Sequence, residues 1–270
     1  MLKISAIIPA YNEAENIALV VDGLLALCDE AGMALVHEVI VADNGSDDGT
    51  AAIARQCGAR VIYVAQKGYG IACASACKVA QGDVLLFVDG DHTADLRQAV
   101  LLTQAVERGA DMAIGVRTHA APGSLTLPQR FGNWFACYLV HKIWSVPITD
   151  LGPFRAIRRS AYERIGMRDA AYGWTIEMQI RAAQLSLRVR EVDVSWLPRH
   201  AGQSKVSGTI KGVVGAGWGI LSMIVRLRLH EWRDARQALN RVLPTSVTAL
   251  PAGQEALTPS TLSRPFSQQE

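Results

Sequence analysis

An open α/β fold, with helices covering both faces of a mostly parallel sheet, is what this sequence predicts. Three observations carry the expectation. Short apolar runs alternate with helical patterns from residue 4 to residue 116. The runs are continuously apolar, as in strands buried on both faces. Polar residues then collect where each run ends, along the edge where open parallel sheets bind ligands.

In order, residues 4–9 read as a strand and 16–28 as a helix, then 38–43 as a second strand and 48–57 as its helix. Residues 60–65 form the third strand, 71–80 a helix, and 84–89 the fourth strand. A helix near 95–108 and a strand at 111–116 complete the regular half. Beyond it, residues 122–128 read as a loop, 130–144 as an apolar, aromatic helix, and Asp150-Leu151-Gly152-Pro153 as a break. Residues 154–157 look like a strand, 175–185 a helix, and 189–196 an alternating strand. Residues 210–243 form a helical stretch, with a break expected near Gly215-Ala216-Gly217. The tail from Pro244, rich in Ser, Thr, Pro and Gln, is expected to be disordered.

At 270 residues, half of them hydrophobic, the chain can bury one large core or one core with a small appendage. The balance of 27 basic against 25 acidic residues argues against nucleic acid as a partner. Five cysteines, odd in number and without a CxxC pair, suggest a reducing, cytoplasmic setting and no disulfide framework. No signal peptide is expected, because the first residues lack a basic region ahead of an apolar one. The uncharged stretch 212–225 falls short of the roughly 20 residues that span a bilayer.

Asp89-Gly90-Asp91 follows the apolar fourth strand. Two carboxylates at a strand exit can converge on a hard divalent cation, and Gly90 eases the turn; the alternative is an ordinary polar turn. His92 is either a ligand or a solvated neighbour. Asp43 closes the second strand and can accept an N–H from a nucleobase, while Ser46, Asp47 and Thr50 suit a helix cap. Lys67-Gly68-Tyr69-Gly70 precedes a helix, so its backbone N–H groups and Lys67 can meet an anion. It is not the GxGxxG fingerprint of nicotinamide enzymes.

Taken together, Ile7-Ile8-Pro9-Ala10-Tyr11-Asn12-Glu13, Val41-Ala42-Asp43-Asn44-Gly45-Ser46-Asp47-Asp48-Gly49-Thr50 and Gly82-Asp83 through Asp89-Gly90-Asp91 resemble family 2 glycosyltransferases, over roughly residues 4–210. The resemblance implies a GT-A-like, Rossmann-type domain at 1–210 that transfers sugar with inversion from a nucleotide-diphosphate sugar. It implies that Asp43 contacts the base, that Pro9, Tyr11 and Glu13 line the nucleotide pocket, and that Asp89 and Asp91 hold Mg2+ or Mn2+ on the diphosphate.

Gly115-Val116-Arg117, the segment from Asp150 to Ala156, and Arg199-His200-Ala201-Gly202-Gln203-Ser204-Lys205 are similar to the dolichyl- and polyprenyl-phosphate sugar synthase branch. That likeness implies a lipid-phosphate acceptor, with Arg117, Arg155 and Lys205 around the phosphates; Thr93 stands where those synthases often carry Gln. Glu177 falls near the catalytic base of hydroxyl-using members, and the other reading is a helix residue pairing with Arg181 at i+4. Trp174 reads as a packing residue.

Arginines 226, 228, 233, 236 and 241 follow the apolar stretch, which suits a helix on an anionic membrane surface, one packed on the domain, or one in an oligomer. The expected organisation is therefore a transferase domain at 1–210, a peripheral amphipathic segment at 211–243 and a tail at 244–270. The alternatives are transfer to a glycan or small-molecule hydroxyl with Glu177 as base, or an inactive protein that only binds nucleotide sugars.

Overall fold

The apolar runs become strands whose alternate residues fill two separate cores. In the computed structural model, which describes residues 2–202 and 210–242, strands β1 (Ile4–Ala10), β2 (Glu38–Asp43), β3 (Arg60–Tyr63) and β4 (Val84–Phe87) pair in parallel. On one face Ile4, Ala6, Ile8, Val39, Val41 and Leu86 pack against helices α1 (Ala14–Leu25), α2 (Thr50–Gln56) and α4 (Ala99–Glu107). On the other, Ile7, Ile40, Leu85 and Phe87 meet α3 (Tyr69–Val79). The period of two along each strand thus serves both faces, which is why neither face reads as polar.

The second half extends this sheet. Its elements are β5 (Met112–Ala120), α5 (Leu127–Trp144), β6 (Arg155–Arg158), α6 (Arg159–Ile165), α7 (Trp174–Gln184), β7 (Val189–Trp196) and α8 (Ile210–Val242). The seven strands lie in the order β3-β2-β1-β4-β6-β5-β7. β6 runs antiparallel to both β4 and β5, and β5 pairs with β7 in parallel. The expected mostly parallel α/β architecture is therefore the one observed.

Several boundaries differ for local reasons. α5 starts three residues before the expected position because Thr126 caps it: the Thr126 hydroxyl accepts from Gln129 N at 3.4 Å, and the Gln129 side chain accepts from Thr126 N at 2.8 Å. α6, not foreseen, is a seven-residue helix closed by Gly166 in the left-handed region. α8 runs unbroken through Gly215-Ala216-Gly217; each helical glycine costs only about 1 kcal/mol. Met223, Ile224 and Leu227 offset that cost by joining Ala136, Val140, Leu151 and Ile180 in a third apolar cluster.

The chain divides into two units, residues 1–230 and 231–270. In the second, residues 231–242 are helical and Arg236 sits over the Trp232 ring, 5.3 Å from its centroid. The tail expected to be disordered, residues 244–270, lies outside the described residues. Among the described residues no helix is long and apolar enough to cross a membrane.

Candidate active site

β1 has β2 on one side and β4 on the other, so the order of the sheet reverses there. A crevice opens at the carboxyl ends of strands at such a switch point. The end of β1 delivers Pro9 to it, the loop after β1 delivers Glu13, and the segment after β4 delivers Asp89, Gly90 and Asp91. Together with Arg117, Arg199 and Trp196 they line a cavity of about 520 Å3. Leu125, Gln129, Leu151, Pro153, Tyr172 and Ile220 also line it.

The two aspartates differ in their partners. Asp89 Oδ1 accepts from the Tyr69 hydroxyl at 3.0 Å. Burial, and then the neighbouring Asp91 carboxylate, raise Asp89 to about 7. Asp91 Oδ1 accepts from Thr93 Oγ1 at 2.7 Å and from Thr93 N at 3.2 Å, while its Oδ2 meets Arg199 Nη1 at 3.1 Å. Arg199 also pairs with both oxygens of Glu13. One guanidinium thus ties the β1 loop to the aspartate pair. Asn16 steadies the strap that carries Arg199, bonding both the N–H and the carbonyl of Ala201 at 3.1 and 3.2 Å.

Gly90 was expected to make the turn, but the left-handed residue is His92, at φ 57°. A Cβ at Gly90 would meet Ile8 Cγ2 and Pro9 O at 3.5 Å, which is ordinary contact. The His92 and His200 rings stand edge to face at 6.4 Å, and burial lowers the His92 pKa.

Tyr11, Asp43 and Lys67 form a separate cluster on the β1–β2 side and are not among the cavity-lining residues. Asp43, buried at the end of β2, accepts from Ser46 N at 3.2 Å. The Lys67 ammonium lies 3.9 Å from the centroid of the half-exposed Tyr11 ring and donates to the carbonyls of Asn44 (2.7 Å) and Gly45 (2.9 Å).

Three expected roles need correction. In Lys67-Gly68-Tyr69-Gly70 the Gly68 N–H already donates to Asn44 Oδ1 at 2.7 Å, and the next residue, Ile71, donates to Ala170 O at 3.0 Å. The glycines of this segment admit the main chain of residues 169–170, since a Cβ would lie 2.2 Å from Ala170 O at Gly68 and 2.3 Å from Asp169 O at Gly70. Arg155 is fully buried rather than facing phosphate. Its guanidinium donates to the carbonyls of Gly152, Leu151 (2.9 Å) and Thr175 (3.0 Å), and burial lowers its pKa to about 10. Glu177 is 1% exposed and lies outside the cavity lining. Its carboxylate accepts from Asp169 N at 2.7 Å and Arg168 N at 3.0 Å and pairs with Arg181 Nε at 2.8 Å, so it holds the loop at residues 168 and 169.

Arg117 reaches the cavity while paired with Asp150, its Nε and N donating to Asp150 Oδ2 at 2.9 and 2.8 Å, and with its guanidinium 5.4 Å from the Trp196 ring. Lys205 lies outside the described residues. Trp174 is buried edge to face on Phe87, at 4.7 Å, as a packing residue. Sequence reasoning assigned no individual role to Tyr69 or Arg199. The signal for Arg199 was its place just beyond β7, three residues from the strand's end.

The donor set suits a hard divalent cation. Among the described residues no three His, Cys, Asp or Glu side chains gather in one place, and magnesium-type ions commonly take one or two carboxylates plus substrate phosphates. Burial first, and then repulsion from Asp91, raise Asp89, and a cation between the two carboxylates would offset both.

A family profile described as glycosyl transferase family 2 matches residues 5–166. An uncharacterised glycosyltransferase of Mycobacterium tuberculosis is 30% identical over 222 residues, 81% of this chain and 98% of that protein. The polyprenol monophosphomannose synthase of Mycolicibacterium smegmatis is 30% identical over 246 residues, 82% of this chain and 89% of the synthase. Among solved structures, glucosyl-3-phosphoglycerate synthase from Mycobacterium tuberculosis, with Mn2+, UDP and glucosyl-3-phosphoglycerate, superposes with a TM-score of 0.64 at 20% identity, covering 83% of this chain and 80% of that one.

Proposed function

The chain belongs to glycosyl transferase family 2, and from that premise we propose that it transfers a sugar, with inversion, from a nucleotide-diphosphate sugar to a polyprenyl-type phosphate. The observation that carries this reading is how the cavity's carboxylates are used. Glu13 is committed to Arg199, Asp91 to Arg199 and Thr93, and Asp89 to Tyr69. Glu177, the base in the hydroxyl-acceptor alternative, is buried and engaged by Asp169 N and Arg181. A hydroxyl acceptor must lose a proton during attack, whereas a phosphate with a second pKa of about 6 arrives largely ionised. The similar polyprenol monophosphomannose synthase supports the lipid acceptor.

In the proposed step, an acceptor phosphate oxygen attacks the anomeric carbon from the side opposite the donor diphosphate. The bond from that carbon to the diphosphate oxygen breaks, and its electron pair leaves with the nucleoside diphosphate. Asp89 and Asp91 would hold Mg2+ or Mn2+, which when bound supplies Lewis-acid stabilisation of the leaving diphosphate; the solved neighbour holds Mn2+ with UDP. Arg199 and Arg117 add fixed positive charge on the cavity wall, and Tyr69 orients Asp89 by its hydrogen bond. Asp43, Tyr11 and Lys67 would receive the base.

The test is a matrix of nucleotide sugars against two acceptors, a polyprenyl phosphate and a set of glycan or glycerate hydroxyls, with manganese and with chelator. Metal-dependent transfer to the lipid phosphate is expected. Transfer to a hydroxyl alone would favour the hydroxyl-acceptor reading, and binding without turnover on any acceptor would favour an inactive nucleotide-sugar-binding protein.

A further inference from the structure

The strongest feature outside the cavity is an aromatic stripe along α5. Leu127, Phe131, Trp134 and Tyr138 recur at helical spacing, and all four are exposed, Leu127 by 80%, Phe131 by 63% and Trp134 by 58%. The rings are ordered against each other: Phe131 and Phe135 stack at 6.0 Å, and Trp134 and Tyr138 at 5.8 Å. The opposite side of α5, at Ala136, Cys137 and Val140, packs in the apolar cluster that includes Met223, Ile224 and Leu227 of α8. α8 repeats the pattern, since Trp218, Leu221 and Val225 are exposed on the side away from that cluster. A soluble surface seldom concentrates such side chains without a partner.

The charges say which partner. Neither α5 nor residues 210–230 contain an aspartate or glutamate, although the chain has 25 such residues elsewhere. The ionisable side chains carried by these two helical stretches are cationic or neutral, Arg130, His141 and Lys142 on α5 and Arg226, Arg228 and His230 on α8, all exposed, while Glu191 and Asp193 of β7 line a hollow beside Arg130 and Asn133. Lys142 lies 5.7 Å from the Tyr138 ring. Exposed Trp, Tyr and Phe beside Arg and Lys, with no carboxylate carried by α5 or by residues 210–230, match the interface of an anionic bilayer, where rings sit among headgroups and cations meet lipid phosphates.

We propose that the aromatic face of α5 is a membrane-docking surface that binds anionic lipid bilayers. The expectation from sequence placed membrane contact at 211–243; the structure adds a separate, earlier helix to it. The position of α5 gives the docking a purpose. Thr126, its cap, and Gln129, in its first turn, line the cavity, so a bilayer held on α5 lies next to the cavity wall. That purpose rests on the lipid-phosphate reading above; the surface itself does not.

The experiment uses the full chain and vesicles of phosphatidylcholine with or without phosphatidylglycerol, read by co-sedimentation at low and high salt. Binding to the anionic vesicles, weaker in salt, is expected. The variant F131S/W134S/Y138S should weaken it by about tenfold or more, and R130E/K142E should weaken it on anionic vesicles. Unchanged thermal unfolding, and unchanged transfer to a short-chain soluble phosphate, would show that fold and chemistry persist. Transfer to a long-chain acceptor in vesicles should fall with binding. Undiminished vesicle binding in both variants overturns the proposal. So does a wild-type dimer, seen by sedimentation velocity, that the triple variant disperses while neither binds vesicles, since the face then joins two copies. Vesicle binding through α5 without any transfer to lipid phosphate would sink the acceptor assignment and leave the surface standing.

Discussion

Replacing Glu177 with Gln separates a structural carboxylate from a catalytic one. Three charge-assisted hydrogen bonds converge on this side chain, from Asp169 N, Arg168 N and Arg181 Nε. Hydrogen bonds to charged groups contribute about 1.5–3 kcal/mol each. A glutamine keeps one acceptor oxygen and turns an N–H2 toward groups that are themselves donors. Removing one partner of a buried ion pair costs about 3–5 kcal/mol, and Arg181 is partly exposed, so we expect a loss of about 3 kcal/mol. For a domain of this size that lowers Tm by about 6–12 °C. Urea unfolding at constant m-value is the assay, run beside kcat at a temperature where the variant is folded. Below the transition kcat should fall only severalfold, through loosening of the loop that abuts Gly68 and Gly70 next to Tyr69. A stability equal to wild type together with a kcat loss of about 10²–10⁴-fold would refute the reasoning and restore Glu177 as the base.

Asp91→Ala should abolish transfer and the metal dependence of nucleotide-sugar binding, with Tm nearly unchanged; full activity in excess chelator would remove the metal assignment. Because Asp89 is raised from 3.8 to about 7, the folded protein holds a proton there that the unfolded chain has released. Stability relative to Asp89→Asn should therefore decline as pH rises through that window, and a urea midpoint difference that stays flat would contradict it. The same proton must leave before a cation binds, so Mn2+ affinity should rise with pH up to about 7. Tyr69→Phe deletes a hydrogen bond to the Asp89 carboxylate and should move that Mn2+ titration to higher pH. Arg199→Ala should reduce kcat/KM by at least tenfold, about 1.4 kcal/mol, and an unchanged value would exclude it from the site.

The features legible in the sequence were those written over a few adjacent residues. Continuous apolar runs marked β1, β2 and β4, and the polar clusters at their ends marked the crevice. Asp89 and Asp91 were legible as a candidate pair because a strand exit fixes where both residues emerge, and both line the crevice. Arg155 and Glu177 were not, because their roles depend on partners that only folding supplies: the carbonyls of Leu151 and Thr175 around one, the N–H groups of residues 168 and 169 around the other. A buried arginine and a phosphate-binding arginine look identical in a string of letters. Gly68 and Gly70 misled for the same reason, since close approach by another segment and close approach by an anion both require the missing Cβ.

The four-residue strand β6 has a consequence for how the molecule assembles. It joins β3-β2-β1-β4 to β5 and β7, and it pairs with β4 on one edge and β5 on the other. During synthesis the β1–β4 portion can acquire its parallel pairings once residue 87 has emerged, but its β4 edge stays open until residues 155–158 arrive. Such an edge is a template for mispairing, and late non-local closure slows folding. The crevice is split by the same seam: Glu13 and the aspartate pair come from the early portion, whereas Arg117, Trp196 and Arg199 come from β5, β7 and the strap beyond. The crevice is therefore completed only when β7 and the strap beyond it arrive, and a nascent or truncated form that stops before β6 carries Glu13 and Asp91 without Arg199, the arginine that pairs with both.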